Sequence, residues 1–195
     1  MKISQMKKHV DQGFYEIVSN QGFDDLRPCQ FKSIKAGLFD FKSLLVCTPT
    51  GSGKTMVGEM ACMHSILSKR GKAIYIVPLK SLATEKFKDF KKKYDKLCRI
   101  AMTIGDLDDD DPKLAEYDLI IATSEKLDSL IRRKSPWLKD IGTVVIDEIH
   151  LLNDNSRGPT LEIVLTLLRT ILKDIQIVGL SATIGNPEEL AAWLS

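Results

Sequence analysis

The segment Thr48-Pro49-Thr50-Gly51-Ser52-Gly53-Lys54-Thr55 holds the residues whose types and spacing speak most directly of chemistry. Gly51 and Gly53 let the backbone curl so that successive N–H groups point inward at an anion. Lys54 can reach the outer oxygens of a polyphosphate, and the Thr55 hydroxyl is the kind of ligand that holds Mg²⁺. The apolar run Leu44-Leu45-Val46-Cys47 precedes the segment, and a helical pattern over roughly Lys54–Ser68 follows it. Strand, loop and helix in that order add the positive end of a helix to the same anion site. The strict form of such a loop begins with glycine, and here Thr48 takes that place.

A second constellation is Val144-Val145-Ile146-Asp147-Glu148-Ile149-His150. It sets two acids at the end of a buried strand, the edge where ligands bind in open α/β sheets. Asp147 can hold Mg²⁺ through its water shell, because that ion prefers carboxylate oxygens and retained waters. Glu148 is suited to orient and deprotonate an attacking water. Thr55 and Asp147 are thus the candidate metal ligands, and Lys54, Asp147 and Glu148 the candidate catalytic residues; His150 by itself reads as a surface histidine. No residue is identifiable as an arginine finger.

These groups need a rigid frame. Apolar runs without alternation predict strands covered on both faces at Leu44–Cys47, Ala73–Val77, Leu119–Ala122, Val144–Ile146 and Ile175–Val178. Arg99–Thr103 alternates and is placed nearer an edge. Helical stretches lie between them, at roughly Lys54–Ser68, Ser81–Lys93, Ser124–Arg132 and Pro159–Leu172, with Pro28, Pro159 and Pro187 in first-turn positions. Asn186-Pro187-Glu188-Glu189 is a further helix start. The alternation predicts an α/β fold with a mostly parallel sheet and helices on both faces. Val10, Phe14, Ile17 and Val18 recur at helical spacing, so residues 1–22 read as a helical segment packed outside the domain of residues 23–195.

Several pieces in order resemble the first RecA-like, phosphate-loop domain of superfamily-two helicases, in the superkiller-like branch that includes archaeal fork-repair enzymes. Leu26-Arg27-Pro28-Cys29-Gln30 is similar to the Q motif, which implies that Gln30 reads adenine. Pro78-Leu79-Lys80-Ser81-Leu82-Ala83 is similar to motif Ia. Thr103-Ile104-Gly105-Asp106 and Ala122-Thr123-Ser124-Glu125-Lys126 resemble the next two strand-contacting motifs. Asp147-Glu148-Ile149-His150 matches the DExH box. Ser181-Ala182-Thr183 is similar to motif III, which implies a coupling role shared with His150. Arg157-Gly158-Pro159-Thr160 and the stretch from Ile184 to Leu190 resemble the archaeal repair enzymes in particular. The resemblance implies ATP and Mg²⁺ as cofactors. It implies Lys80, Ser81, Gly105, Asp106, Thr123 and Ser124 as nucleic-acid contacts.

Composition sets outer limits. The 195 residues are 44% hydrophobic and 28% charged, as in an ordinary globular domain. A net charge of +2 is too small to argue nucleic-acid binding by itself. No apolar run spans a bilayer and no secretory core opens the chain, so a cytoplasmic location without membrane is expected. Cys29, Cys47, Cys62 and Cys98 show no metal-ligand spacing and no disulfide framework, and Cys47 reads as a core residue. The lysines at 86, 88, 91, 92, 93 and 96 read as a solvated helix face, and Asp108–Asp111 as a surface loop.

The expectation is therefore the motor domain of an ATP-dependent DNA helicase, of 3′-to-5′ polarity by resemblance, acting in repair or at stalled forks. It is expected to be monomeric, to belong to a longer chain with a second RecA-like domain, and to hydrolyse ATP very slowly alone. An RNA helicase of the same branch, or an ATPase that grips nucleic acid without unwinding, are the alternatives. Contacts in this domain are expected to reach phosphates, which carry no sequence information. The archaeal-like stretches favour DNA over RNA.

Overall fold

The structure, a computed structural model, describes residues 2–22, 24–105 and 112–194. Asp106 and the acidic run Asp108–Asp111 lie outside the described residues. Six strands form one parallel sheet: β1 (Leu44–Cys47), β2 (Lys72–Val77), β3 (Ile100–Thr103), β4 (Leu119–Thr123), β5 (Ile141–Ile146) and β6 (Gln176–Ser181). Their spatial order is β1-β6-β5-β2-β4-β3. Seven helices accompany them: α1 (Gln12–Ser19), α2 (Pro28–Lys35), α3 (Lys54–Leu67), α4 (Lys80–Tyr94), α5 (Ser124–Arg132), α6 (Gly158–Ile171) and α7 (Pro187–Leu194).

The lack of polar alternation in the strands has a direct cause. Tyr75, Val77, Leu119, Ile121, Val145 and Val178 point into a core shared with α1 to α4. Ile74, Ile76, Ile120, Val144, Ile146 and Ile177 point into a second core shared with α5 to α7. Successive strand residues face opposite ways, so a sheet covered on both sides must be apolar at every position.

The expected elements are found with boundary shifts of a few residues. The exception is β1, which is an edge strand paired only with β6 among the described residues. Leu44, Leu45 and Cys47 are half-buried, not core. Strand order is a property of the whole topology, so a short apolar run does not declare whether it lies at a centre or an edge. All four cysteines are free, as expected.

At the N-terminus the helical pattern divides. A 3₁₀ turn spans Ile3–Met6, and α1 begins only after Asp11, whose side chain caps it by accepting from Gly13 N at 2.8 Å. Val10 precedes the helix. Ile3, Met6, Phe14 and Val18 are buried in the same core as α3, so this segment packs onto the domain.

Helix α3 crosses the centre of the sheet, and Gly58 is what allows it to lie close. A Cβ there would stand 2.9 Å from Val145 Cγ1, 3.0 Å from Tyr75 Cε2 and 3.2 Å from Leu180 Cδ1. Alanine favours a helix over glycine by about 1 kcal/mol, whereas overpacking a core costs about 1–3 kcal/mol. Gly58→Ala is therefore expected to lower the urea midpoint. A raised midpoint would show that the sheet yields to the methyl group at little cost.

Candidate nucleotide site

The phosphate loop leaves the carboxyl end of β1 and turns directly into α3. Its first amide is tied to the neighbouring strand, Thr48 N donating to Ser181 O at 3.2 Å. The Thr48 and Ser52 hydroxyls are bonded at 2.6 Å, and Ser52 N donates to Pro49 O. Gly51 and Gly53 have φ of 78° and 90°, a region open to glycine and strained for other residues. Pro49, Thr50 and Gly51 are exposed at the tip. No side chain caps α3, whose first helical residue is Lys54, so its leading N–H groups keep the positive helix end directed at the loop.

Helix α2 braces this loop from outside. Gln30 Nε2 donates to Gly53 O at 3.1 Å, Cys29 Sγ to Ser52 O at 3.2 Å, and the Arg27 guanidinium to Gly51 O. Gln30 Oε1 also accepts from Arg27 N at 2.9 Å. The residue expected to read adenine thus already holds both the start of its own helix and the loop. One N–H of its amide and one lone pair of Oε1 remain for a base.

Asp147 and Glu148 follow β5, two strands away from β1 with β6 between them. Asp147 N continues the ladder, donating to Ile76 O at 2.9 Å. Glu148 then adopts φ 54° and ψ 45°, a left-handed conformation that costs a non-glycine residue about 1–2 kcal/mol. That turn places Glu148 on the wall of a cavity of about 560 Å³ that Gln30, Thr50, Gly51, Gly53, Lys54, Thr55 and Asp147 also line. Residues distant in sequence meet here around one space.

The charge balance is uneven. Lys54 is 7% exposed; among the described residues its Nζ has no hydrogen-bond partner and pairs with one acid, Glu148, at 3.8 Å. A buried ammonium with so little compensation is costly to the nucleotide-free chain, and it is what a polyphosphate would complete. Thr55 Oγ1 and Asp147 Oδ2 each lie 3.4 Å from one and the same cation, the Lys86 ammonium. Two hard oxygens converging on a single positive charge are a donor set suited to Mg²⁺ once phosphate oxygens and waters join them.

Sequence reasoning missed several members of the site. Tyr75 lies fully buried beneath Asp147 and donates to its Oδ2 at 3.1 Å. Burial first, then the Asp147 charge beside it, hold the phenol well above its ordinary pKa of 10, so it keeps the proton it donates to Asp147. Glu59 is buried on α3, pairs with Lys93 Nζ at 2.8 Å and accepts from the Tyr94 hydroxyl. The lysine run is therefore not wholly a solvated face. Lys88, Lys91, Lys92 and Lys96 are exposed, but Lys86 and Lys93 line the same cavity as Lys54 and Asp147. The readable signal was Glu59, a lone charge within the apolar stretch from Val57 to Cys62.

The remaining predicted residues divide between two places. His150 Nδ1 is 3.4 Å from Glu148 Oε2, and His150 lines a second cavity with Ile184, Asn186 and Trp193, just beyond Ser181-Ala182-Thr183. Ser181 is buried at the end of β6, Ala182 half-buried and Thr183 exposed. Lys80, Ser81, Gly105, Thr123 and Ser124 gather instead at the carboxyl ends of β2, β3 and β4. Lys80 and Ser81 are exposed, and Lys80 reaches the Gly105 turn. Thr123 and Ser124 are buried, the Thr123 hydroxyl capping α5 by accepting from Lys126 N at 3.4 Å.

The model of the DEAD/DEAH box helicase family matches residues 27–190. The chain belongs to that family. Among relatives of this helicase domain, the ATP-dependent DNA helicase Hel308 of Methanocaldococcus jannaschii is 52% identical over 187 residues, covering 92% of this chain and 15% of the relative. That of Pyrococcus abyssi is 47% identical over 195 residues, covering all of this chain and 27% of the relative. The chain thus spans 15% to 27% of the length of these two proteins. In structure it is similar to the DUF1998 helicase MrfA, with a TM-score of 0.83 and 25% identity over 95% of this chain and 31% of that one. The fold of this family member is the RecA-like one. No described helix is long and apolar enough to cross a membrane.

The charge balance carries a prediction. Replacing the buried ammonium by an isosteric apolar group, Lys54→Met, is expected to stabilise the nucleotide-free chain by about 1 kcal/mol, read as a raised urea midpoint. A midpoint lowered by a similar amount would show that Lys54 is already satisfied without ligand.

Proposed function

We propose that this chain is the first RecA-like motor domain of an ATP-dependent DNA helicase that moves 3′ to 5′ and works in the cytoplasm in DNA repair or at stalled forks. The observation that carries the reading is the meeting of Lys54 and Thr55 with Asp147 and Glu148 around one cavity. Relatives named as ATP-dependent DNA helicases support ATP over other nucleotides and DNA over RNA. In this reading residues 1–22 are a packing segment, residues 23–195 the motor domain, and the working unit a monomer.

The roles follow from position. The loop from Thr48 to Thr55 wraps the phosphates with its backbone N–H groups, and Lys54 neutralises the outer ones. Gln30 offers its remaining amide capacity to adenine. Thr55 and Asp147 hold Mg²⁺, which when bound neutralises charge on the transferring phosphoryl group. Glu148 orients and deprotonates the attacking water. Ser181, Ala182 and Thr183, at the end of the strand between the loop and the carboxylates, pass the nucleotide state onward through His150. Lys80, Ser81, Gly105, Asp106, Thr123 and Ser124 mark the nucleic-acid side, where backbone groups and exposed Lys80 and Ser81 meet phosphates. A second RecA-like domain of a longer chain supplies an arginine to the transferring phosphoryl group. Hydrolysis by the 195-residue chain alone is correspondingly very slow.

Fluorescent ADP binding, with and without Mg²⁺, tests this reading. Lys54→Ala is expected to weaken binding at least tenfold, about 1.4 kcal/mol. Glu148→Gln is expected to bind ADP much as the parent does. Equal, tight binding by the parent and Lys54→Ala would place the nucleotide elsewhere and overturn the proposal.

A further inference from the structure

Lys86 occupies an unusual position for a residue in a lysine-rich helix. Its side chain is 16% exposed and turned inward from α4. The ammonium stands 3.4 Å from Asp147 Oδ2, 3.4 Å from Thr55 Oγ1 and 5.7 Å from the centre of the Tyr75 ring. Asp147 is itself only 11% exposed. Three elements, α3, β2 and the turn after β5, therefore fix one positive charge at one point. That point is the focus of the two oxygens that the proposed function assigns to the metal.

Two cations cannot share such a focus, because like charges at contact distance in a partly buried site repel strongly. Asp147 in turn cannot stand there alone, since a buried carboxylate without a counter-charge is severely penalised. We infer that Lys86 is a resident counter-ion of the metal site: it neutralises Asp147 in the nucleotide-free chain and yields that position when nucleotide and divalent cation load together. The inference rests on the reading of Thr55 and Asp147 as metal ligands.

The arrangement has a thermodynamic consequence. A protein whose binding-competent state must first be uncovered shows a lowered apparent affinity. Free Mg²⁺ has to displace Lys86 without compensation. A nucleotide arriving with its metal brings phosphate charge into the same cavity, which Lys86 also lines, and this charge receives the released ammonium. The site therefore favours the metal–nucleotide complex over the bare ion. Tyr75 remains bonded to Asp147 throughout and keeps the carboxylate in place during the exchange.

The test is a Mg²⁺ titration of fluorescent-ADP binding to the 195-residue chain and its Lys86→Met and Lys86→Arg variants. Lys86→Met keeps the stem and removes the charge. It is expected to lower the half-saturating Mg²⁺ concentration by roughly fivefold or more, whereas Lys86→Arg stays near the parent. A Mg²⁺ requirement unchanged or raised in Lys86→Met overturns the inference while leaving the metal site standing. A parent whose ADP binding ignores Mg²⁺ overturns the metal assignment and the inference with it. Should Lys86→Met fail to fold, Lys86→Gln, which keeps a polar tip and removes the charge, answers by the same Mg²⁺ titration. A lowered half-saturating Mg²⁺ concentration is expected, and an unchanged or raised one overturns the inference.

Discussion

A buried positive charge with too little around it to balance it governs this structure. Lys54 is held in the first turn of α3, whose uncapped N-terminal end is itself positive, so both contributions have the same sign. Among the described residues the one counter-charge in contact with Lys54 is Glu148, at 3.8 Å. Such an arrangement persists only when the rest of the fold holds it in place. Here the apolar faces of α3, packed onto β2, β5 and β6, supply that hold. The close approach at Gly58, the brace from Arg27, Cys29 and Gln30, and the tie between Thr48 and Ser181 all serve the same end.

The order of strands divides the candidate site residues between two regions of the sheet's carboxyl edge. The phosphate loop, the Ser181-Ala182-Thr183 segment and the Asp147-Glu148 pair follow β1, β6 and β5, which are neighbours. The proposed nucleic-acid contacts follow β2, β4 and β3, the next neighbours along. Helix α4 belongs to both regions, since it starts at Lys80 and carries Lys86 and Lys93 to the nucleotide cavity. A rigid element that touches both sites is a physical route by which the state of one biases the other, provided it has two arrangements.

How much of this was legible in the sequence depended on whether a feature was local. The loop, the acid pair and the strand–helix alternation are short-range patterns, and their positions agree with the structure to within a few residues. The edge position of β1 and the half-exposure of Cys47 were not legible, because strand order arises from the whole topology. The N-terminal helix was read from Val10, but Asp11 caps it, so Val10 falls outside. The inward turn of Lys86 and Lys93 was hidden for a related reason. Helical periodicity shows that a lysine lies beside the apolar face, not that a buried acid waits opposite it. Glu59 and Asp147 are those acids, and only the packing of α4 on β2, β3 and β4 brings them within reach.

In the proposed function the glycine loop and Lys54 form a place for the phosphates of a nucleotide, beside Thr55 and Asp147. A crystal structure of the chain grown with ADP and Mg²⁺ would locate the nucleotide. The β-phosphate is expected within hydrogen-bond distance of the N–H groups from Gly51 to Thr55 and of Lys54 Nζ, with the metal against Thr55 and Asp147. Nucleotide bound elsewhere on the domain, with the loop and Lys54 unchanged, would contradict it.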